Sequence, residues 1–525
     1  MSILRNYIVP ALAPAIRVGA SLAASRFERR DPVAAQEAIF MDLLLRGEDT
    51  RFGRDYRFAA LRKRPFAQAY DSYRQTVPIR TYADFWRDYF STGFSAPNGS
   101  PRLELDNVTW PGRIPLFCES SGTTAPTKYI PFTPEMFAAN RRAARDLLTN
   151  YLAKVPGSRL FRGRFLYLSG STLLTDLGPG VNSGDMSAIT LRYPPTYLRP
   201  FITPSPQVAA LAWEAKIEAL TQLLLDDREI TGISGVPPWL LMLLEQVRRR
   251  GGKPLPELLP NLELIVHGGT SIGPYKREFD TLFGERSPRF LELLPSSEGF
   301  MGFQIPGDSH MRFTPWYGVF FEFVPFAHLD GQGGIPPHAP SLSLAEVRAG
   351  ERYAVILTTC AGLWRYHLGD TIRFTSLAPL TFEFTGRDRF LDRFEEKVTQ
   401  AEVDRAVADL NEQTAAEVVE FMVGPDIAER RHLWVLAVKG TSPVREELGR
   451  FLDERLMTFN ADYAAFRRQG RIRPPAIVTV SEEGIYEWSG RVRGKLGGQS
   501  KIPHVDPTLA GELVKSLADF ADHLG

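Results

Sequence analysis

The sequence predicts an α/β fold in two parts, a large N-terminal unit with mixed β-sheets and flanking helices and a small α+β unit after it. Three observations carry this. First, 525 residues exceed what a single hydrophobic core usually organises. Second, strand-like apolar runs alternate with short polar loops: 262–266 runs into His267-Gly268-Gly269-Thr270, and 290–294 runs into Pro295-Ser296-Ser297-Glu298-Gly299. Strand-loop repeats of this kind place ligand groups at strand ends. Third, from about residue 390 the pattern shortens to helix (400–410), strand (418–423), strand (433–439), helix (444–466) and strand (476–480), roughly the ferredoxin-like order. The expected division is 1–385 and 386–525, with a hinge at 386–389.

Composition bounds the function. A hydrophobic fraction of 44% and a charged fraction of 23% describe an ordinary globular protein, and a net charge of +1 gives no sign of a nucleic-acid partner. Cys118 and Cys360 both sit in apolar runs, as buried thiols would. Eleven lysines stand against 51 arginines, so a lysine at a phosphate-like site is informative. No apolar run is long enough to cross a bilayer. Residues 1–24 resemble a signal peptide faintly, but Pro10, Pro14 and Arg17 interrupt them. The expectation is a first helix packed on the body of a cytoplasmic, monomeric protein.

In chain order, 32–92 reads as helices, with apolar residues one turn apart at Phe66 and Tyr70. Residues 77–82 form an extended connector, and Thr81 is suited to cap the next helix. Ser120-Ser121-Gly122-Thr123-Thr124-Ala125-Pro126-Thr127-Lys128 joins two strand-like runs. Converging N–H and hydroxyl donors with a closing cation suit phosphate oxygens. Alone, the stretch fits a solvated turn equally well. Pro134 opens a helix over 136–152, 165–168 is a strand, and 178–184 is a Gly-rich loop. Helices follow over 209–225 and 239–249. Further strands are expected over 318–323, 353–358 and 371–374, the last entered by Leu363-Trp364-Arg365-Tyr366-His367-Leu368-Gly369-Asp370.

Several chemistries are excluded by absence of their motifs: no Walker loop, GxGxxG or HExxH occurs, and the eight histidines show no metal spacing. Gly269-Thr270-Ser271-Ile272-Gly273 matches GxSxG, but Ser271 lies past the strand end and Pro274 follows, so the match is read as chance. Glu298 after two serines could hold the Mg²⁺ that accompanies ATP, or could be a helix N-terminal carboxylate. Asp370 could accept ribose hydroxyls, or could be a turn residue.

The order of these motifs resembles the adenylate-forming superfamily of acyl-CoA synthetases, luciferases and nonribosomal adenylation domains. Ser120 to Lys128 is similar to its phosphate loop, Ser296-Ser297-Glu298 to its Ser/Thr-Glu motif, Tyr366 to Asp370 to YxxGD, and Gly386-Arg387 to the hinge dipeptide. The nearer resemblance is to the auxin-responsive promoter family of acyl-acid amido synthetases. It rests on Asp49 to Arg54, Val77 to Tyr82, Thr109-Trp110-Pro111-Gly112, Gly235-Val236-Pro237 with Trp239, Pro260-Asn261-Leu262 with His267-Gly268-Gly269, Gly362 to Asp370, and Gln499 to Pro503. The Gly-Leu-Trp-Arg-Tyr form looks like that of bacterial members.

The resemblance implies a ligase that uses ATP and Mg²⁺ to turn a small carboxylic acid into an acyl-adenylate, then passes the acyl group to an amine, an amino acid being the expected acceptor. It implies that Ser120, Ser121, Gly122, Thr123, Thr124 and Lys128 hold phosphates and that Gly268, Gly269 and Thr270 line the adenine. Ser296 and Ser297 would meet the α-phosphate, Glu298 the Mg²⁺, and Tyr366, Asp370 and Arg387 the nucleoside. Lys501 would be the catalytic cation carried by a mobile small domain. The sequence itself leaves the acyl substrate open: Val236, Trp239 and the 169–190 region are candidates for its pocket, and read at least as well as ordinary core residues. An acyl-CoA ligase, or a non-catalytic relative, is the alternative. Ala125, Glu395, His367 and His504 depart from the expected motifs, His504 standing where an Arg usually follows Lys-x-Pro.

Overall fold

The computed structural model describes residues 9–120, 127–194, 196–329, 334–387, 391–394, 396–440, 444–493, 502–506, 508 and 510–524. The loop residues Ser121, Gly122, Thr123, Thr124 and Ala125, together with Glu395 and Lys501, lie outside them.

Among the described residues, an eleven-stranded sheet forms the frame. One half is parallel: Ile202–Thr203, Arg164–Tyr167, Ile230–Gly235, Leu264–Gly268 and Arg289–Pro295 run side by side. All their C-terminal ends therefore open on one edge, where ligand loops collect in such sheets. The other half is an antiparallel run of Phe300–Gln304, Met311–Phe313, Leu380–Arg387, Tyr366–Leu377, Arg352–Thr359 and Val319–Pro325. A four-stranded sheet stands beside it. There Leu116–Ser120 pairs antiparallel with Lys128–Pro131, Ser120 opposite Lys128. The expected loop at 178–184 is instead a hairpin of this sheet, Thr175–Gly178 with Val181–Gly184. Its turn uses positive φ at Gly178 and Gly180, which glycine adopts without steric cost.

Local signals place most helices. Thr81 caps Tyr82–Asp88 in a reciprocal capping box with Asp84, and Thr133 caps Pro134–Lys154. The first helix, Val9–Glu28, packs on the body through Ala20, Ala24 and Phe27. No helix among the described residues is long and apolar enough to cross a membrane.

Two expected helices are broken. The one at 209–225 divides into Pro206–Ala209 and Trp213–Asp226, because Ala212 is extended (ψ 155°) and turns Trp213 onto Trp239, ring centroids 4.9 Å apart. The one at 444–466 divides into Arg445–Phe459 and Ala461–Arg468. Asn460 is extended there; its side chain accepts from Tyr463 N–H at 2.8 Å and donates to the Lys397 carbonyl at 3.1 Å. An Asn with such partners ends one helix and starts the next. The small unit also departs from the ferredoxin-like order. Its sheet has three strands, Val418–Asp426, Arg431–Val438 and Ala476–Val480, with the last lying parallel to the central one where a ferredoxin-like sheet would insert its first strand.

One buried ion pair ties the helical layer to the sheet. Arg365 and Glu322 are both fully buried and meet at 3.0 Å. The guanidinium also donates to the carbonyls of Arg74 and Val77 (2.8 and 2.6 Å) and to Ser341 Oγ (2.9 Å). Glu322 accepts from Ser341 Oγ–H and Tyr70 O–H. With both charges so satisfied, removing one partner strands the other in the core. Glu322→Gln is expected to cost about 3–5 kcal/mol in urea unfolding. The double change Arg365→Met with Glu322→Leu should cost much less, and equal losses in the two variants would contradict this account.

Candidate active site

The site forms where the two halves of the large sheet meet. Ser296 to Gly299 is a tight turn between Arg289–Pro295 and Phe300–Gln304. Ser296 closes it: its N–H and hydroxyl donate to the Gly299 carbonyl (2.8 and 2.9 Å), and its Oγ accepts from Gly299 N–H (3.0 Å). The Ser296 hydroxyl is therefore used within the turn, a structural place for a residue expected at the nucleotide. Glu298 is held inward at 8% exposure and accepts from Tyr366 O–H at 3.3 Å. Burial pushes its carboxyl above the usual range; Arg387 and Lys128 pull it back, and Asp370 pushes it further.

Tyr366 and Asp370 lie on the same strand, whose register shifts between them near the positive-φ Gly369, and both act on Glu298, Tyr366 through its hydroxyl and Asp370 through its charge. Asp370, 7% exposed, pairs with Arg387 on the adjacent strand; the two are register partners, with Arg387 Nη1 at 2.5 Å from Asp370 Oδ1. Lys128 opens its strand with its ammonium over the Tyr82 ring, 5.7 Å from the centroid, and Tyr82 Oη accepts from Tyr129 N–H at 2.8 Å. Tyr82 thus carries this strand, although its segment reads only as a connector; an aromatic just past a helix cap was the available signal.

Gly268 ends its strand against the neighbouring one, where a Cβ would come within 2.3 Å of the Leu293 carbonyl oxygen. Gly269 has φ +86°, and Thr270 is buried. His267 before them is enclosed, and burial lowers it to about 4, so this loop presents an uncharged surface. It therefore lies beside the Ser296–Gly299 turn, since Gly268 and Leu293 are register partners. Ser271 Oγ accepts from Gly273 N–H at 3.2 Å inside a turn, with no strand-to-helix elbow.

The structure thus gathers Lys128, Glu298, Tyr366, Asp370 and Arg387 next to the Gly268–Thr270 loop. Val236 and Trp239 stand in a different cluster. Val236 precedes the helix Pro237–Gly251, and the Trp239 indole, 3% exposed, packs on Trp213 and Tyr486 at 4.9 Å each. Both are core positions, which leaves the acyl pocket unassigned by them. Two of the motifs that carry the family resemblance also prove to be packing devices. Trp364 Nε1–H donates to the Thr109 carbonyl at 2.9 Å, and Arg51 and Phe52 N–H donate to the carbonyls of Asn107 and Val108.

The donor set suits Mg²⁺ with a nucleotide. Two buried carboxylates face one region, and no cluster of three or more His, Cys, Asp or Glu capable of holding a metal by itself occurs among the described residues. Mg²⁺ is characteristically held by one or two carboxylates plus substrate phosphates.

His504 occupies the place where Arg was expected. It is 2% exposed, its Nδ1 2.5 Å from Asp404 and its Nε2 3.0 Å from Glu420, with Phe421 stacked at 4.0 Å. Burial alone would depress it, but the two carboxylates outweigh burial and raise it to about 10. The position thus keeps a cation.

Three family profiles match the chain in order: the GH3 family N-terminal domain over residues 24–236, the GH3 family central domain over 314–387, and the GH3 family C-terminal domain over 401–507. The indole-3-acetic acid-amido synthetase GH3.4 of Arabidopsis thaliana is 24% identical over 87% of this chain and 86% of its own length. A second such synthetase of that plant, GH3.10, is 29% identical over 40% of this chain, and the match spans 39% of its length. Among solved structures, the GH3.15 acyl acid amido synthetase shares the fold with a TM-score of 0.69 at 19% identity, covering 93% of each chain. A 2-hydroxyisobutyryl-CoA ligase in its postadenylation state shares it at 0.58 and 13%, covering 93% of this chain and 92% of its own.

The raised His504 pKa has a definite sign. Its contribution to stability is fully present below the unfolded value of 6.5 and is lost as pH rises through about 10. Urea midpoints should therefore fall between these limits, and His504→Gln should flatten that fall. An unchanged slope in the variant would show that the imidazolium does not contribute.

Proposed function

Because the chain belongs to the GH3 family, we propose that it is an ATP-dependent, AMP-forming acyl-acid amido synthetase that joins a small carboxylic acid to an amine, an amino acid being the acceptor class. The observation that carries this reading is the convergence of buried Glu298 and Asp370 with Arg387, Lys128 and Tyr366 beside the Gly268–Thr270 loop.

In the first step an acid's carboxylate attacks the α-phosphorus of ATP, the bond to pyrophosphate breaks, and an acyl-adenylate forms. Asp370 would accept the ribose hydroxyls with Arg387 beside it, and Gly268 to Thr270 would receive the base. Ser297 would contact the α-phosphate from the turn that Ser296 closes. Glu298, oriented by Tyr366, would hold Mg²⁺, which supplies charge neutralisation at the phosphates. Ser120 to Thr124 and Lys128 would bind phosphate oxygens, and Lys501 would offset charge that develops at the in-line transition state. In the second step the amine attacks the acyl carbon and AMP leaves. Positioning and electrostatics suffice, and no covalent enzyme intermediate is required. The division at 386, with 386–389 as the hinge for a mobile small domain, belongs to the same reading. It is supported by separate cores on either side of that point. So does a cytoplasmic monomer.

The test is carboxylate-dependent exchange of labelled pyrophosphate into ATP, screened with indole-3-acetate, benzoate, 4-hydroxybenzoate and decanoate. Exchange with at least one acid is expected, and none in folded protein with Mg²⁺ would sink the proposal. Trapping the adenylate with amino acids rather than coenzyme A identifies the acceptor. Lys501→Ala should slow exchange by about 10²–10³-fold while the KM for ATP changes by less than about threefold. Equal effects on both would place the lysine in ground-state binding.

A further inference from the structure

The turn that follows the Gly268–Thr270 loop is also the surface on which the small unit sits. Leu264–Gly268 runs through residues 269–272 into the 3₁₀ turn Gly273–Tyr275. Tyr275 is 1% exposed, and its hydroxyl lies 3.3 Å from both Glu420 carboxylate oxygens and 3.4 Å from His504 Nε2. Glu420 in turn accepts from His504 Nε2–H at 3.0 Å. Alongside, Asn411 Nδ2–H donates to the Pro274 carbonyl at 2.9 Å. At the far side of the contact Lys439 bridges Glu245 and Glu278 at 2.7 and 2.8 Å. The contact also holds Arg277, which donates to the Thr414 carbonyl at 3.0 Å, and the Trp239–Tyr486 ring pair at 4.9 Å; at its centre the Tyr275 phenol faces the buried Glu420–His504 pair.

We propose that Tyr275 is a positioning residue for the activation step. Through Glu420 and His504 it fixes the small unit, and with it the segment 502–506 that follows Lys501 in sequence, against the turn that continues the adenine loop. Three observations assign this to activation rather than to acyl transfer. His504 is three residues past Lys501, so the latch acts on the segment that carries the lysine. Tyr275 is five residues past Thr270, so the other end of the latch is continuous with the nucleotide loop. The latch groups are hydrogen-bonding partners of fixed geometry, which a rotation of the small unit must separate, whereas an apolar contact could slide. The Tyr275 O–H is shared between both Glu420 oxygens at 3.3 Å, longer than a strong hydrogen bond, and the loss of such a contact shifts an equilibrium by about three- to tenfold.

The inference rests on the two-step reading above, and the experiment separates the two. Full-length wild type, Tyr275→Phe and Glu420→Gln are compared in two assays with the best acid of the exchange screen. One is pyrophosphate–ATP exchange. The other is single-turnover transfer from the chemically prepared acyl-adenylate of that acid to a mixture of amino acids. Tyr275→Phe keeps the ring and its packing, so the fold is retained. Tyr275→Phe should lower exchange by about three- to tenfold and Glu420→Gln by at least as much, both with an unchanged KM for ATP, while transfer stays equal or becomes faster. Parallel losses in both assays would mean a general structural role and would overturn the proposal, as would unaltered exchange. Absence of exchange in wild type would instead remove the two-step reading, and this inference with it.

Discussion

The buried pair between Arg365 and Glu322 is the constraint on which the site depends. Arg365 adopts φ +47°, a left-handed conformation that a non-glycine residue holds only when its surroundings impose it. The surroundings are the carboxylate of Glu322, the carbonyls of Arg74 and Val77 and the hydroxyl oxygen of Ser341, all of which accept from the guanidinium. The backbone is held as firmly: Arg80 N–H donates to the Arg365 carbonyl at 3.0 Å, and His367 N–H to the Arg80 carbonyl at 2.8 Å. Fixing Arg365 therefore fixes the start of Tyr366–Leu377. A slip of one residue there would turn Tyr366 away from Glu298. The pair's value lies in this register more than in net stability, since burying two charges gives back most of their attraction.

Much of the site was legible because its residues lie on turns and strand ends, where side-chain identity and backbone geometry are tightly linked. Two serines, an acid and a glycine after an apolar run encode the Ser296–Gly299 turn, and Thr81 with Asp84 encodes a capping box. What the sequence left open concerns contacts between distant segments. Ser296 and Ser297 look alike in a motif, and only the closed turn shows that one hydroxyl is already used. Trp239 reads equally as pocket wall or core until Trp213 and Tyr486 are seen against it. The break at Ala212 has no Pro or Gly to announce it, because tertiary packing of Trp213 overrides a sound helical pattern. Tyr275 carries no signal at all: its partners come from positions 420 and 504.

His504 shows why a departure from a motif need not be a loss. An arginine there would bring a permanent charge, whereas a histidine is cationic only if its surroundings insist. Asp404 and Glu420 do so, and Phe421 stacks on the ring to fill the space of a longer side chain. The charge is thus kept by context instead of by residue type, and the cost is dependence on two buried carboxylates.

The same logic applies to the nucleotide side. Glu298 and Asp370 are both buried, while Arg387 is more than half exposed and Lys128 leans on an aromatic ring. Exposed cations are screened by water and compensate buried carboxylates poorly. Burial consequently wins at Glu298, whose carboxyl is raised. A ligand that brings a divalent cation against this carboxylate would lower its proton affinity and recover the desolvation energy already spent in folding. On the proposed reading, a ligand that carries phosphate and metal together would balance these charges better than either alone.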